Sequence, residues 1–363
     1  MCVRPRRRLP AHLADAVEVL SAVDDAVDMR DPLEAGDHPG SVRSMPTGDS
    51  ATRILIDGGQ TGTRVRIETA GGAADHEAPP IRTDRPVVEQ IATTVRAILD
   101  AGAGRPAGDE SVGRSVIAAG VSGLTPDASR PVDLLEALAG VGVVSVALAH
   151  DSVTAYLAAN RDEFGAVTAV GTGVVTLGVG RGGVCRVDGW GHLFGDAGSA
   201  YWIGRSGIAA ALRAFDGRGP DTALRMAAEE EFGPLPELYM VVQADPDRVA
   251  RVAGFARTVD AASEDRDAVA QRIIDDAADE LATAAVTALD RSGHGTDDPA
   301  RVSWVGGVMS ASDRLRNRFV DSVSRRAPGV TVAPPHGRPF DGVRLLADLD
   351  ATHPLSGEVY RAW

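Results

Sequence analysis

The chain has 363 residues, 44% hydrophobic and 24% charged, with a formal net charge of -14. That length accommodates two domains with cores of their own, and the acidic balance argues against a nucleic-acid partner, which needs a basic surface. All 37 basic residues are arginine, which excludes a Walker A lysine, a Schiff-base lysine and the strand lysine of protein kinases.

A bound triphosphate would therefore be held by glycine turns, hydroxyls, carboxylates and a metal ion. Two cysteines, Cys2 and Cys185, make neither a disulfide framework nor a thiolate cluster. The histidines show no pair at helical metal-ligand spacing. The longest apolar run, about Val141 to Ala149, is too short to span a bilayer. Arg4, Arg6, Arg7 and Arg8 are followed by no apolar signal core. Together these features predict a reducing, cytoplasmic protein with neither a membrane nor a nucleic-acid partner.

Residues 1–50 read as an extension that is expected to be disordered. Leu9 to Val27 is amphipathic at helical spacing, and a Gly/Pro/Ser/Asp linker follows it. Ile54 to Ile67 reads as strand, glycine turn, strand, with Asp57 where the first arm ends. Glu68 to Asp84 is polar and loop-like. Pro86 to Asp100 is a helix with Val88, Ile91, Val95 and Ile98 on its apolar face. Ser115 to Ala119 is a buried strand, Pro131 to Ala139 a helix, and Val143 to Ala149 a strand followed at once by His150-Asp151.

Ala166 to Leu177 repeats the strand–turn–strand shape around Gly171-Thr172-Gly173. A third strand, Val184 to Val187, leads into a glycine-rich loop. Helices are expected at about 197–215, 220–231, 247–262 and 267–291. Arg301 to Val305 is a strand ending in Gly306-Gly307; Ser310 to Arg326 is a helix, Val330 to Ala333 a strand and Pro339 to Asp350 a last helix. Strands alternating with helices make this an α/β protein. It divides into a lobe over 51–162, a similar lobe with a helical insert over 163–338, and a C-terminal helix and tail over 339–363 that packs back on the first lobe.

Several residues are candidates for chemistry, each with a plainer alternative. Asp57 suits a Mg²⁺ ion beside a phosphate-facing turn, and equally a simple hairpin. Thr61, Thr63 and Thr172 offer hydroxyls beside glycines, where phosphate can approach the backbone; β-propensity alone would also place threonine in a strand. Asp151 suits a general base at the carboxyl end of a strand, or a helix N-cap. Trp190 between two glycines would shape a ring-binding pocket with Asp196, or be a core aromatic beside an N-cap. Gly306-Gly307 would let adenine lie on bare backbone.

Taken together, these residues resemble the acetate kinase–hexokinase–actin superfamily, and within it the N-acetylglucosamine kinase and BadF/BadG-type ATPase group, from about Arg53 to Leu349. Asp57-Gly58-Gly59-Gln60-Thr61-Gly62-Thr63 is similar to the family's first phosphate motif, and Gly171-Thr172-Gly173 to its second. Gly306-Gly307-Val308 is similar to its adenosine motif, and Gly189-Trp190-Gly191 through Asp196 to its sugar-side loop. The resemblance implies two actin-like, ribonuclease H-like lobes around a central ATP and sugar cleft. It implies ATP and Mg²⁺ as cofactors and phosphorylation of an amino-sugar hydroxyl with Asp151 as general base. It places Asp57 at the metal, and Gly58, Gly59, Thr61, Thr63, Gly171, Thr172, Gly173, Gly306 and Gly307 at ATP. Ser122, Gly189, Trp190, Gly191 and Asp196 would line the sugar, and a homodimer is compatible with the pattern. The chain departs from the family at Gln60, at Val174 and Val175, and at Ala197. It also lacks the first-lobe asparagine. The alternatives are an ATPase that drives a protein partner through an iron–sulfur cluster, for which thiolates are too few, and a non-catalytic sugar or nucleotide sensor.

Overall fold

A computed structural model describes residues 52–59, 62–82, 84–102, 114–295 and 298–363. The expected extension over 1–50, with its helix at Leu9 to Val27, lies outside the described residues, as does Thr61. Within them the chain builds one five-strand pattern twice. In the first sheet β1 (Thr52–Gly58), β2 (Thr63–Thr69) and β3 (Gly72–Ala78) form an antiparallel meander. β4 (Ser115–Val121) and β5 (Val143–His150) then add in parallel beside β1. In the second sheet β6 (Gly165–Val170), β7 (Val174–Gly180) and β8 (Gly183–Val187) make the meander. β9 (Arg301–Val305) and β10 (Thr331–Val332) add in parallel beside β6. The orders are β11-β5-β4-β1-β2-β3 and β10-β9-β6-β7-β8, where β11 is Tyr360–Ala362, antiparallel to β5. This is the two-lobed actin-like architecture.

Residue choice explains the layering. Every residue of β4 is buried, as a central parallel strand covered on both faces must be. β2 instead alternates: Thr63, Val65 and Ile67 are buried in the core, while Arg64, Arg66 and Glu68 project from the opposite face of the strand. Helices α1 (Val87–Asp100) and α2 (Pro131–Ala137) cover the outer face of the first sheet, packing Ile91, Val95 and Leu134 on Ile54, Ile117 and Val121. The insert between β8 and β9 holds α4 (Ala200–Phe215), α5 (Leu224–Phe232), α6 (Leu238–Ala244), α7 (Arg248–Gly254), α8 (Ala256–Glu264) and α9 (Ala268–Arg291). Asp267 caps α9 by accepting the Val269 and Ala270 N–H groups, both at 2.9 Å. Buried alanines along α9, at 277, 278, 281 excepted as leucine, 282, 285 and 288, let it lie close on the second sheet.

A third core layer joins the lobes. Leu55, Ala118 and Ala147 of the first sheet and Val167, Leu177 and Val179 of the second share one apolar cluster. Filling it are α3 (Asp151–Asn160) and α12 (Pro339–Asp348), which follows α10 (Gly307–Ala311) and α11 (Asp313–Arg326). The two helices cross so closely that a Cβ on Gly342 would meet the Thr154 carbonyl oxygen at 2.0 Å. Phe340, in the same first turn of α12, carries the Arg66 guanidinium 4.4 Å over its ring. Truncating such a buried phenylalanine costs about 3–5 kcal/mol.

Some expected elements change. The stretch expected as a loop over Glu68 to Asp84 contains the whole of β3. Its sequence, Gly-Ala-Ala-Asp-His-Glu-Ala, carries no apolar alternation, because β3 is a largely exposed edge strand. The helix expected over Ser310 to Arg326 is broken at Ser312, whose hydroxyl accepts the Leu315 N–H and caps α11 afresh. Among the described residues no helix is long and apolar enough to cross a membrane.

Candidate active site

Parallel strands of both sheets end on one cavity of about 840 Å³, the position where α/β sheets place ligands. Asp57 closes β1, Ser122 follows β4, Asp151 follows β5, and Gly306 follows β9; all four line it. Gly171 and Gly173 enter from the β6–β7 turn, and Gly189, Gly191 and Asp196 from the loop between β8 and α4. The structure thus brings together residues from six separate stretches of sequence.

Asp151 is the first residue of α3, but it does not cap the helix. His150 stands at the N-cap position instead, with its Nδ1 3.2 Å from the Ser152 nitrogen. The Asp151 carboxylate is left for other partners. Its Oδ2 accepts the Ser122 hydroxyl, and its Oδ1 is 2.9 Å from His150 Nδ1. Burial acts most strongly on this carboxyl and works to raise it. The His150 contact and charge, with hydrogen bonds from Ser122 and Ser152, outweigh burial and hold it below the ordinary aspartate value. A group so held is an anion at neutral pH, as a proton acceptor must be.

Asp57 faces Arg64 across the β1–β2 ladder, and Arg64 Nη2 donates to its Oδ2 at 2.5 Å. Both side chains line the cavity. The second carboxylate oxygen stays free of any hydrogen bond among the described residues. Among those residues no three His, Cys, Asp or Glu side chains gather as a metal cage. One free carboxylate oxygen facing a roomy cleft fits Mg²⁺, which keeps most of its water and shares the rest of its shell with substrate phosphates.

Asp196 lies deeper, only 7% exposed. Its Oδ1 accepts the Gly191 N–H at 3.2 Å, and its other oxygen presses on the second hairpin. A Cβ on Gly173 would sit 2.5 Å from Asp196 Oδ2, so only glycine fits there. Burial raises this carboxyl, against the Gly191 hydrogen bond and with help from the neighbouring Asp188 charge. Asp188 itself was legible only as a strand end, yet it knits the loop. Its carboxylate accepts the N–H groups of Gly189, Asp196 and Ala197 at 2.7, 2.8 and 3.0 Å. Asp188 and Asp196 both adopt positive φ, 59° and 57°, a conformation aspartate tolerates better than most residues.

A second cavity of about 370 Å³ opens on the other side of Gly171. Thr172 and Gly307 line it with Ile203 of α4, Ala253 of α7 and Arg257 and Asp260 of α8. Ser312 donates its hydroxyl to Asp260 Oδ1 in the same wall. This helical wall carries no motif legible in the sequence: its members are mostly small apolar residues at ordinary helix positions.

Four expected ligand residues are placed differently. Thr63 is 2% exposed, because strand alternation turns it inward with Val65, and its hydroxyl has no partner among the described residues. Gly58 packs against Ile81 and Val121, with a Cβ there coming within 3.1 Å of Ile81. Gly59 donates to the Gly62 carbonyl at 2.9 Å, closing the first turn outside both cavity walls. Trp190 is 68% exposed and is not part of the cavity wall either, since the loop turns its ring out to solvent.

The chain is similar to known proteins along most of its length. The model of the BadF/BadG/BcrA/BcrD ATPase family matches residues 56–343. An N-acetylmuramic acid/N-acetylglucosamine kinase of Clostridium acetobutylicum is 27% identical over 295 residues, 77% of this chain and 92% of the relative. An N-acetyl-D-glucosamine kinase of Dictyostelium discoideum is 26% identical over 209 residues, 56% of this chain and 66% of the relative. Among solved structures, a protein assigned as an N-acetylglucosamine kinase in Chromobacterium violaceum superposes with a TM-score of 0.64 at 25% identity, covering 83% of this chain and all of the other. A protein with the same assignment in Porphyromonas gingivalis gives 0.60 at 20% identity, over 82% of this chain and 99% of the other, and bears on the fold alone. The family match takes in every strand end that lines the cavity, and the chain belongs to the BadF/BadG/BcrA/BcrD ATPase family.

Proposed function

We propose that this protein is an ATP-dependent kinase of an N-acetylated amino sugar. The observation that carries the reading is Asp151, a carboxylate kept ionised at the carboxyl end of β5, inside a cleft lined by strand ends of both sheets and by the glycines of the β6–β7 turn. The names of the curated relatives, both kinases of N-acetylated amino sugars, supply the substrate class.

In this reading the base and ribose enter the smaller cavity beside Gly307, a volume of about 370 Å³ that suits a nucleoside. The phosphates pass Gly171 and Thr172 into the large cleft, which Gly171 shares. Asp196 and the backbone of Gly189 and Gly191 hold the sugar. Asp151 accepts the proton of the sugar hydroxyl. The freed oxygen forms a bond to the γ-phosphorus as the bond from that phosphorus to the β–γ bridging oxygen breaks, leaving ADP and a sugar phosphate. Mg²⁺ at Asp57 would neutralise charge on the phosphates. Positioning and electrostatics supply most of such a catalysis.

Product mass analysis after incubation with Mg-ATP and separate neutral hexoses, hexosamines and N-acetylhexosamines tests the proposal. The expected result is a monophosphate of an N-acetylhexosamine. ATP consumed with no phosphorylated sugar would refute it and favour the partner-driving ATPase.

A further inference from the structure

His150 ends β5, stands at the N-cap position of α3, and lines the large cavity beside Asp151. Its Nδ1 has three neighbours: Asp151 Oδ1 at 2.9 Å, Ser152 Oγ at 2.9 Å and the Ser152 backbone nitrogen at 3.2 Å. One imidazole nitrogen donates or accepts, and cannot do both. A bare Nδ1 would accept the Ser152 N–H but would set its lone pair against a carboxylate oxygen at 2.9 Å. A protonated Nδ1 donates to that oxygen. The Ser152 N–H then still has an acceptor, because it also reaches the Asp151 carboxylate, and the Ser152 hydroxyl can turn its own lone pair toward the imidazole. The protonated arrangement leaves no repulsive contact.

The torsion that turns an aspartate carboxylate is broad and soft. A lone donor would leave it free to swing. Here the donors come from two different strand ends, Ser122 after β4 and His150 at the end of β5, and they take different oxygens. We propose that His150 is a positioning residue for phosphoryl transfer: its Nδ1–H grips one oxygen of Asp151 while Ser122 grips the other, so that the carboxylate meets the acceptor hydroxyl in one fixed orientation. This rests on the reading of Asp151 as the base.

Capping and gripping are separable by substitution. Asn and Ser are both preferred helix caps. Asparagine places an amide N–H the same number of bonds from the backbone as Nδ1, whereas a serine hydroxyl falls one bond short. With N-acetylglucosamine and saturating Mg-ATP, His150→Ser is expected to lower kcat by about 10²-fold, the scale of a misplaced catalytic group, while KM for ATP stays within about 3-fold and the thermal midpoint holds. His150→Asn is expected to recover at least 10-fold of that loss. Equal kcat in the two variants, high or low, overturns the inference. If His150→Ser does not fold, Ser122→Ala releases the other oxygen without touching a cap, and an unchanged kcat there overturns it. Asp151→Asn separates the two levels: an inactive Asp151→Asn with equal His150 variants removes only the role of His150, whereas an active one removes the base as well.

Discussion

The two hairpins have the same place in their sheets and solve the same problem with different means. The β1–β2 turn carries its own charge. Asp57 is clipped by Arg64 directly across the ladder, so both the carboxylate and its counter-ion belong to the hairpin. The β6–β7 turn has no ionisable residue. It closes through the Gly171 N–H on the Gly173 carbonyl at 2.9 Å and borrows a carboxylate, Asp196, from a loop that lies a strand further on. A self-contained hairpin tolerates change around it. A hairpin that borrows its charge depends on the fit between Gly173 and Asp196, and on Asp188, which holds the lending loop.

That contrast orders the expected effects of mutation. Gly173→Ala comes first, because its Cβ would displace the Asp196 carboxylate from 2.5 Å. We expect kcat/KM for the sugar to fall about 10²-fold or more, with a smaller change in KM for ATP. The corresponding change in the first hairpin, Gly62→Ala, brings a Cβ within 4 Å of nothing among the described residues, so the free protein should keep its thermal midpoint. Next comes Asp57→Asn, expected to raise the Mg²⁺ concentration for half-maximal rate about 10-fold at fixed ATP, each 1.4 kcal/mol of lost binding being tenfold. A Mg²⁺ titration that overlays the wild type would remove Asp57 from the metal site.

The two cleft carboxylates are pushed in opposite directions, and pH separates them. Asp151 is held below the ordinary aspartate value and Asp196 above it. As pH falls, Asp196 is therefore protonated first, and KM for the sugar should rise while kcat persists to lower pH. The stability signs are also opposite. The lowered Asp151 contributes stability above its unfolded pKa that is lost as pH falls through its folded value. The raised Asp196 costs stability as pH rises through its folded value. Simultaneous loss of kcat and sugar affinity along one titration curve would contradict this division. The smallest effect belongs to Trp190→Ala. With its ring 68% exposed, stability should change by less than about 0.5 kcal/mol, and KM for the sugar by less than about 3-fold; a larger KM change would show that the ring turns into the cleft when sugar binds.

How much of this could be read from the sequence follows the physics of each part. The hairpins and parallel strands were legible because Ile54 to Ile56, Val116 to Ala119 and Val146 to Ala149 are buried on both faces and so carry unbroken apolar runs. β3 was not, since an exposed edge strand needs no apolar pattern. β11 was not, since Tyr360–Ala362 gains its order from pairing with β5, not from its own three residues. Within the site, Asp57 and Asp151 stood out as aspartates at strand ends, and Asp196 as an aspartate in a glycine-rich loop. Whether Asp151 capped α3 depended on His150, whose side chain takes that task only in three dimensions. Asp188 and the wall around Asp260 were hidden, because their partners are backbone N–H groups and a serine distant in the chain.

The central claim is that Asp151 accepts the proton of a sugar hydroxyl in the cleft between the two sheets. The most direct measurement is the rate of phosphosugar formation by wild type and Asp151→Asn at saturating Mg-ATP and N-acetylglucosamine, with ATP binding and thermal midpoint measured alongside. The account predicts a loss of about 10²- to 10⁴-fold, the usual range for a general base, with ATP binding and folding retained. Equal rates in the two proteins would contradict it.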